Sequence, residues 1–243
     1  MAVDDDPVVV LLHGFTNTGA SWAPVIGALG RRYRTIAPDI RGHGSARAVP
    51  VTLEGVLDDV ERICPEGRFA LGGYSMGGRI ALHAALRLGE RVRRLVLVGA
   101  SPGIADPAER SARRAADERL AAEVEGLAIE EFATRWARTP VLEGLPEALA
   151  GQVHEDRLRS EPAGLAAALR GLGTGVLPSL WERLGELTMP VALVVGERDE
   201  KFRRVADEMA RLLPRASVHV VAGAGHAVHI EAPEAVAQAL RVE

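Results

Sequence analysis

Gly73-Tyr74-Ser75-Met76-Gly77-Gly78 is the most informative hexapeptide in the 243 residues. An apolar run, Phe69-Ala70-Leu71-Gly72, precedes it, and a helix-forming stretch over 76–88 follows. G-x-S-x-G between a strand and a helix puts the serine on a sharp, strained turn. The glycines let neighbouring backbone approach where a Cβ would collide. The turn lifts the Ser75 hydroxyl above a sheet, at the positive end of the following helix. Outside that context the same letters would be an ordinary glycine-rich turn.

The rhythm on both sides supplies the context. Short Val/Leu/Ile runs at 8–12, 34–37, 69–72, 94–98, 191–195 and 218–221 read as strands. They lack polar alternation, as strands covered on both faces do. Amphipathic stretches at 22–30, 52–63, 76–88 and 205–213 read as helices. Strand alternating with helix predicts an α/β fold, a mostly parallel sheet flanked by helices. Ligands of such sheets bind beyond the carboxyl ends of the strands. Residues 102–186 offer no strand and read as helices separated by Pro140, Pro146, Pro162 and Pro178. The expected organisation is a core of 1–101 and 187–243 with a helical lid inserted at 102–186. A lid there would exclude water and select substrate.

Composition narrows the function. Hydrophobic residues make up 47% and charged residues 26%, enough for a sizeable core. The net charge of −4 gives no reason to expect a nucleic-acid partner. Cys64 is the only cysteine, so neither an intrachain disulfide nor a cysteine-rich metal site is expected. The first residues, Met1-Ala2-Val3-Asp4-Asp5-Asp6, are acidic where a signal peptide is basic, and the run 8–12 is too short to span a membrane. A cytoplasmic protein without membrane insertion is expected. Lys201 is the only lysine among 29 cationic side chains.

A serine elbow predicts an acid and then a histidine further along the chain. Asp199 follows the fifth strand, in Gly196-Glu197-Arg198-Asp199, and His226 follows the sixth, in Ala222-Gly223-Ala224-Gly225-His226. His226 would take the Ser75 proton, and Asp199 would fix its tautomer. Glu197 is the rival acid and His229 the rival base. The first strand ends in His13-Gly14-Phe15-Thr16, where the Phe15 N–H, with that of Met76, would form an oxyanion hole. His13 and His43 read as loop braces, and His83, His154 and His219 as structural. No spacing suggests a metal site or a nucleotide fingerprint. Arg79 stands one helical turn after Ser75 and so shares its face. A buried guanidinium there needs an anion, from a lid carboxylate or from a substrate.

These features look like the α/β-hydrolase fold over nearly the whole chain. A closer likeness rests on His13-Gly14-Phe15-Thr16 with Trp22, the serine elbow followed by Arg79, Gly171-Leu172-Gly173-Thr174-Gly175, Pro178-Ser179-Leu180-Trp181, the acid loop ending in Lys201-Phe202, and Gly225-His226-Ala227-Val228-His229. These resemble the 2-succinyl-6-hydroxy-2,4-cyclohexadiene-1-carboxylate synthases of menaquinone biosynthesis. Leu177 departs from the pattern, standing where relatives are expected to carry glutamine.

The resemblance implies a lyase on a hydrolase scaffold. It would eliminate pyruvate from 2-succinyl-5-enolpyruvyl-6-hydroxy-3-cyclohexene-1-carboxylate, an anionic polycarboxylate, with no cofactor and no metal. It implies three carboxylate-binding arginines, carried over to Arg79, Arg113 and Arg159, with Trp136 and Tyr74 in the pocket wall. Arg114 and Arg157 lie beside two of these, and from the residues alone each lid arginine reads as a surface group. The alternatives left open are a carboxylesterase or carbon–carbon bond hydrolase with a covalent serine intermediate, and a binding protein without turnover.

Overall fold

The computed structural model describes residues 7–47, 50–139, 142 and 145–241. Six strands form one sheet: β1 (Val8–Leu12), β2 (Arg34–Ile36), β3 (Phe69–Tyr74), β4 (Val92–Val98), β5 (Val191–Gly196) and β6 (Ala216–Val221). Their order is β2-β1-β3-β4-β5-β6, and every neighbouring pair is parallel.

Two-sided burial explains the uniformly apolar strands. Successive Cβ atoms point to opposite faces. Val10, Leu12, Leu71, Leu95, Leu97 and Leu193 pack on one face with α2 (Leu53–Ile63), α3 (Met76–Leu88) and α8 (Glu200–Leu212). Val9, Leu11, Ala70, Val96, Val98 and Val194 pack on the other with α1 (Ala23–Leu29), α9 (Val228–Glu231) and α10 (Pro233–Leu240). The outer strands are the exceptions. β2 is three residues long, and β6 alternates between part-buried and exposed positions.

Between β4 and β5 the chain runs through α4 (Pro107–Glu125), α5 (Ile129–Trp136), α6 (Glu147–Arg157) and α7 (Pro162–Leu172), with no strand among the described residues. Pro107 and Pro162 begin their helices and Pro146 caps α6, positions where a missing N–H costs nothing. Pro140 lies outside the described residues, as do residues 1–6. The insertion has its own apolar centre of Ala121, Val124, Phe132, Leu165, Ala166 and Leu169, and Phe15 of the core packs against it.

Several boundaries move from their sequence-derived positions. The serine strand continues through Tyr74 to the elbow, β4 begins at Val92, and α8 begins five residues before position 205. The last shift has a local cause. The Asp199 carboxylate accepts the Phe202 N–H at 3.2 Å and caps the helix there.

Candidate active site

Each reacting side chain is placed by the end of a strand. Ser75 follows β3 with φ 49°, ψ −108°, a conformation costing a non-glycine residue about 1–3 kcal/mol. Its N–H is held by the Val98 carbonyl at 2.9 Å. The turn is possible because two backbones meet without side chains: a Cβ on Gly73 would lie 2.4 Å from the Gly77 carbonyl oxygen, and one on Gly77 would lie 2.1 Å from that of Leu12. Met76 opens α3 directly after the serine.

The three predicted partners come together. Ser75 Oγ lies 3.2 Å from His226 Nε2, and His226 Nδ1 lies 2.6 Å from Asp199 Oδ2. With Nδ1–H donating to the carboxylate, Nε2 is left as the acceptor for the serine hydroxyl. Asp199 therefore serves two elements at once, one oxygen on the imidazole and the other on the first turn of α8. Phe202 and Tyr74 flank the imidazole, with ring centroids 4.6 and 5.3 Å away.

The rivals have other positions. Glu197 accepts the Gly223 N–H at 2.8 Å and braces the loop before the histidine. His229 is fully buried against Trp22 and Tyr74, and burial holds its pKa down at about 3. His13 accepts the Ile40 N–H on Nε2 at 2.8 Å, as a loop brace does. His43 is buried beside it, its pKa lowered to about 3 by burial and then by His13. His83 is part-buried on α3, His154 lies on α6, and His219 pairs with Ser217 on β6.

A cavity of about 220 Å³ opens above the triad. Phe15, Met76, Tyr74 and Trp136 line it, together with Ser75 and His226. Its cations are Arg79, Arg113, Arg157 and Lys201, and no carboxylate lines it among the described residues. Arg79 Nε is enclosed without a hydrogen-bond partner, and burial, reinforced by Arg113, lowers the pKa to about 10, so the group stays charged at neutral pH. Arg113 is oriented by Asp117 one turn along α4, with Nε to Oδ1 at 2.7 Å. No group of three or more potential metal ligands occurs among the described residues, and no described helix is long and apolar enough to cross a membrane.

One expected arginine is elsewhere. Arg159 does not line this cavity; its side chain is 63% exposed and its Nε stands 3.9 Å from Asp156 Oδ1. Arg157 takes the inward position, 3% exposed, with Nε unpartnered. Arg157 closes α6, whereas Arg159 lies past its end, in a turn closed by the Arg159 N–H on the Asp156 carbonyl at 3.2 Å. Leu177 is buried and outside the lining.

Comparison with known proteins places the chain in a family. Residues 9–239 match the Alpha/beta hydrolase family. A 2-succinyl-6-hydroxy-2,4-cyclohexadiene-1-carboxylate synthase of Salmonella enteritidis is 34% identical over 96% of this chain and 92% of its own. The structure of MenH from S. aureus superposes with a TM-score of 0.91 at 32% identity, covering 98% of this chain and 92% of that one. A thermophilic esterase from Thermogutta terrifontis gives 0.77 at 30% identity, over 97% and 88%. The chain belongs to the α/β-hydrolase family and, within it, to the 2-succinyl-6-hydroxy-2,4-cyclohexadiene-1-carboxylate synthases of menaquinone biosynthesis.

Proposed function

We propose that the enzyme eliminates pyruvate from 2-succinyl-5-enolpyruvyl-6-hydroxy-3-cyclohexene-1-carboxylate, with Ser75 acting as a base. The observation that carries this reading is the cavity that Arg79, Arg113, Arg157 and Lys201 line together with the serine, with no carboxylate in the lining among the described residues. A pocket for a neutral ester has no use for four cations, whereas each carboxylate of a polyacid can take a bidentate guanidinium.

The parts assign the steps. His226 accepts the Ser75 proton while Asp199 stabilises the imidazolium. The seryl oxygen removes the ring C2 proton, α to the succinyl ketone. The N–H groups of Phe15 and Met76 stabilise the negative charge on the ketone oxygen. The C2–H pair becomes the C2=C3 bond, the C3=C4 pair shifts to C4=C5, and the C5–O bond breaks. Enolpyruvate takes a proton from the imidazolium and tautomerises to pyruvate. No water enters, and the helical insertion over the strand ends would act as the lid that excludes it.

The triad and the esterase likeness also fit covalent ester hydrolysis. A coupled pyruvate assay on the cyclohexene substrate, beside a p-nitrophenyl ester, separates the two. Pyruvate release that falls at least about 10³-fold in Ser75→Ala supports the lyase. Fast ester turnover without pyruvate release decides for the hydrolase.

A further inference from the structure

Asp156 is a buried carboxylate that the proposed reaction does not use. It lies in the last turn of α6, and all three of its hydrogen-bond partners belong to the core, nearly 140 positions earlier in the chain. Its Oδ1 accepts the Thr18 hydroxyl at 2.5 Å, and its Oδ2 accepts the Thr18 backbone N–H at 3.0 Å and the Asn17 amide at 3.2 Å. Arg159, largely solvated, holds its Nε 3.9 Å from Oδ1. Charged hydrogen bonds of this sort are stronger than neutral ones, and a carboxylate left in that position without them would be costly.

What lies on either side gives the contact its meaning. The core partners sit at the end of the turn that begins at Gly14, closed by the Asn17 N–H on the Gly14 carbonyl at 3.1 Å. Inside that turn Thr16 has φ 69°, and Phe15, the candidate oxyanion donor, precedes it. A left-handed threonine persists only where its surroundings enforce it. On the other side, the residue after Asp156 is Arg157, whose guanidinium enters the cavity. One side chain thus joins the oxyanion turn to the cationic wall contributed by the insertion.

The geometry points to Asp156 as a positioning residue: its carboxylate docks α6 on the 14–18 turn, so that Arg157 and the Phe15 N–H address one ligand in fixed relation. Its kinetic readout rests on the function proposed above. Asp156→Ala should lower kcat/KM for pyruvate release about 10²-fold, the scale of a site misplaced by about an ångström. Asp156→Asn can still accept from Asn17 and the Thr18 N–H while donating to the Thr18 hydroxyl, so it should recover most of the loss. The decisive measurement is a double-mutant cycle. Arg157→Ala should cost much less in the Asp156→Ala background than in the wild type, because the guanidinium is already misplaced. Additive losses would overturn the proposal.

Arg170→Ala serves as the control. Arg170 bonds Glu118 and Glu125 of α4 from α7, so its contacts are confined to the insertion. A loss equal to that of Asp156→Ala would show general loosening of the insertion and sink the inference. If Asp156→Ala does not fold, Thr18→Val enters the cycle in its place. Should the wild type release no pyruvate, the proposed function fails, and the rate at which a neutral fluorophosphonate labels Ser75 still tests the docking. Labelling slowed by Asp156→Ala but not by Arg170→Ala supports it; labelling at the wild-type rate refutes it.

Discussion

Arg157 and Arg159 show how much two positions at a helix end decide. Both carry the same group, and the sequence offers no feature that separates them. The end of α6 turns one into the cavity and the other into solvent. Arg157→Ala should raise KM for the polycarboxylate roughly 10–100-fold, the loss expected for a charged hydrogen bond. Arg159→Ala should change KM less than about twofold, since an exposed cation near a carboxylate contributes little. Steady-state kinetics on the two variants checks both. Ser75, Asp199 and His226 were legible because each follows a strand in a glycine-marked turn; chain order suggested the roles, with Glu197 and His229 as rivals until the contacts separated them. The arginine was not, because the position of a helix end leaves no mark in composition.

At the scale of elements, α8 and the triad depend on one another. Asp199 is both the N-cap of the helix and the partner of the imidazole. Asparagine caps a helix about as well as aspartate does. It would, however, present an N–H₂ to His226 Nδ1 and favour the wrong tautomer. Asp199→Asn should therefore keep stability within about 0.5 kcal/mol while lowering kcat by about 10⁴. Denaturant melts and turnover measured on the same preparation test the pairing. A large stability loss would mean that the capping bond needs the charge. The inner strands were readable because a sheet covered on both faces requires apolar residues at nearly every position. The start of α8 was not, since Glu200-Lys201-Phe202-Arg203-Arg204 shows its charge before its apolar stripe. The elements of the insertion were harder still: Pro146 and Pro162 marked the starts of α6 and α7, but α5 opens at Ile129 without a proline, and the inward faces are set by a small separate apolar cluster.

Across the whole molecule, buried histidines make stability depend on pH. Burial lowers the pKa of His43 and His229 to about 3 and that of His83 to about 4. The unfolded chain protonates these groups near pH 6.5 and the folded chain does not, so the unfolded state binds more protons below that value. The contribution of these three histidines should level off above about pH 7, and stability should fall as pH drops from 6.5 towards 4, each histidine adding up to about 1.4 kcal/mol per pH unit. Urea titrations at a series of pH values would show it, and a flat profile between pH 7 and 5 would contradict it. Nothing in composition announced this, because only the fold separates an enclosed imidazole from a solvated one.

Lys201 sits at the rim of the cavity, and every other basic side chain of the cationic kind is arginine. Amine-selective reagents ignore guanidinium groups, so besides the α-amino terminus they have a single target on this chain. A dye coupled there would report ligand entry through its emission, without any engineered cysteine or tag.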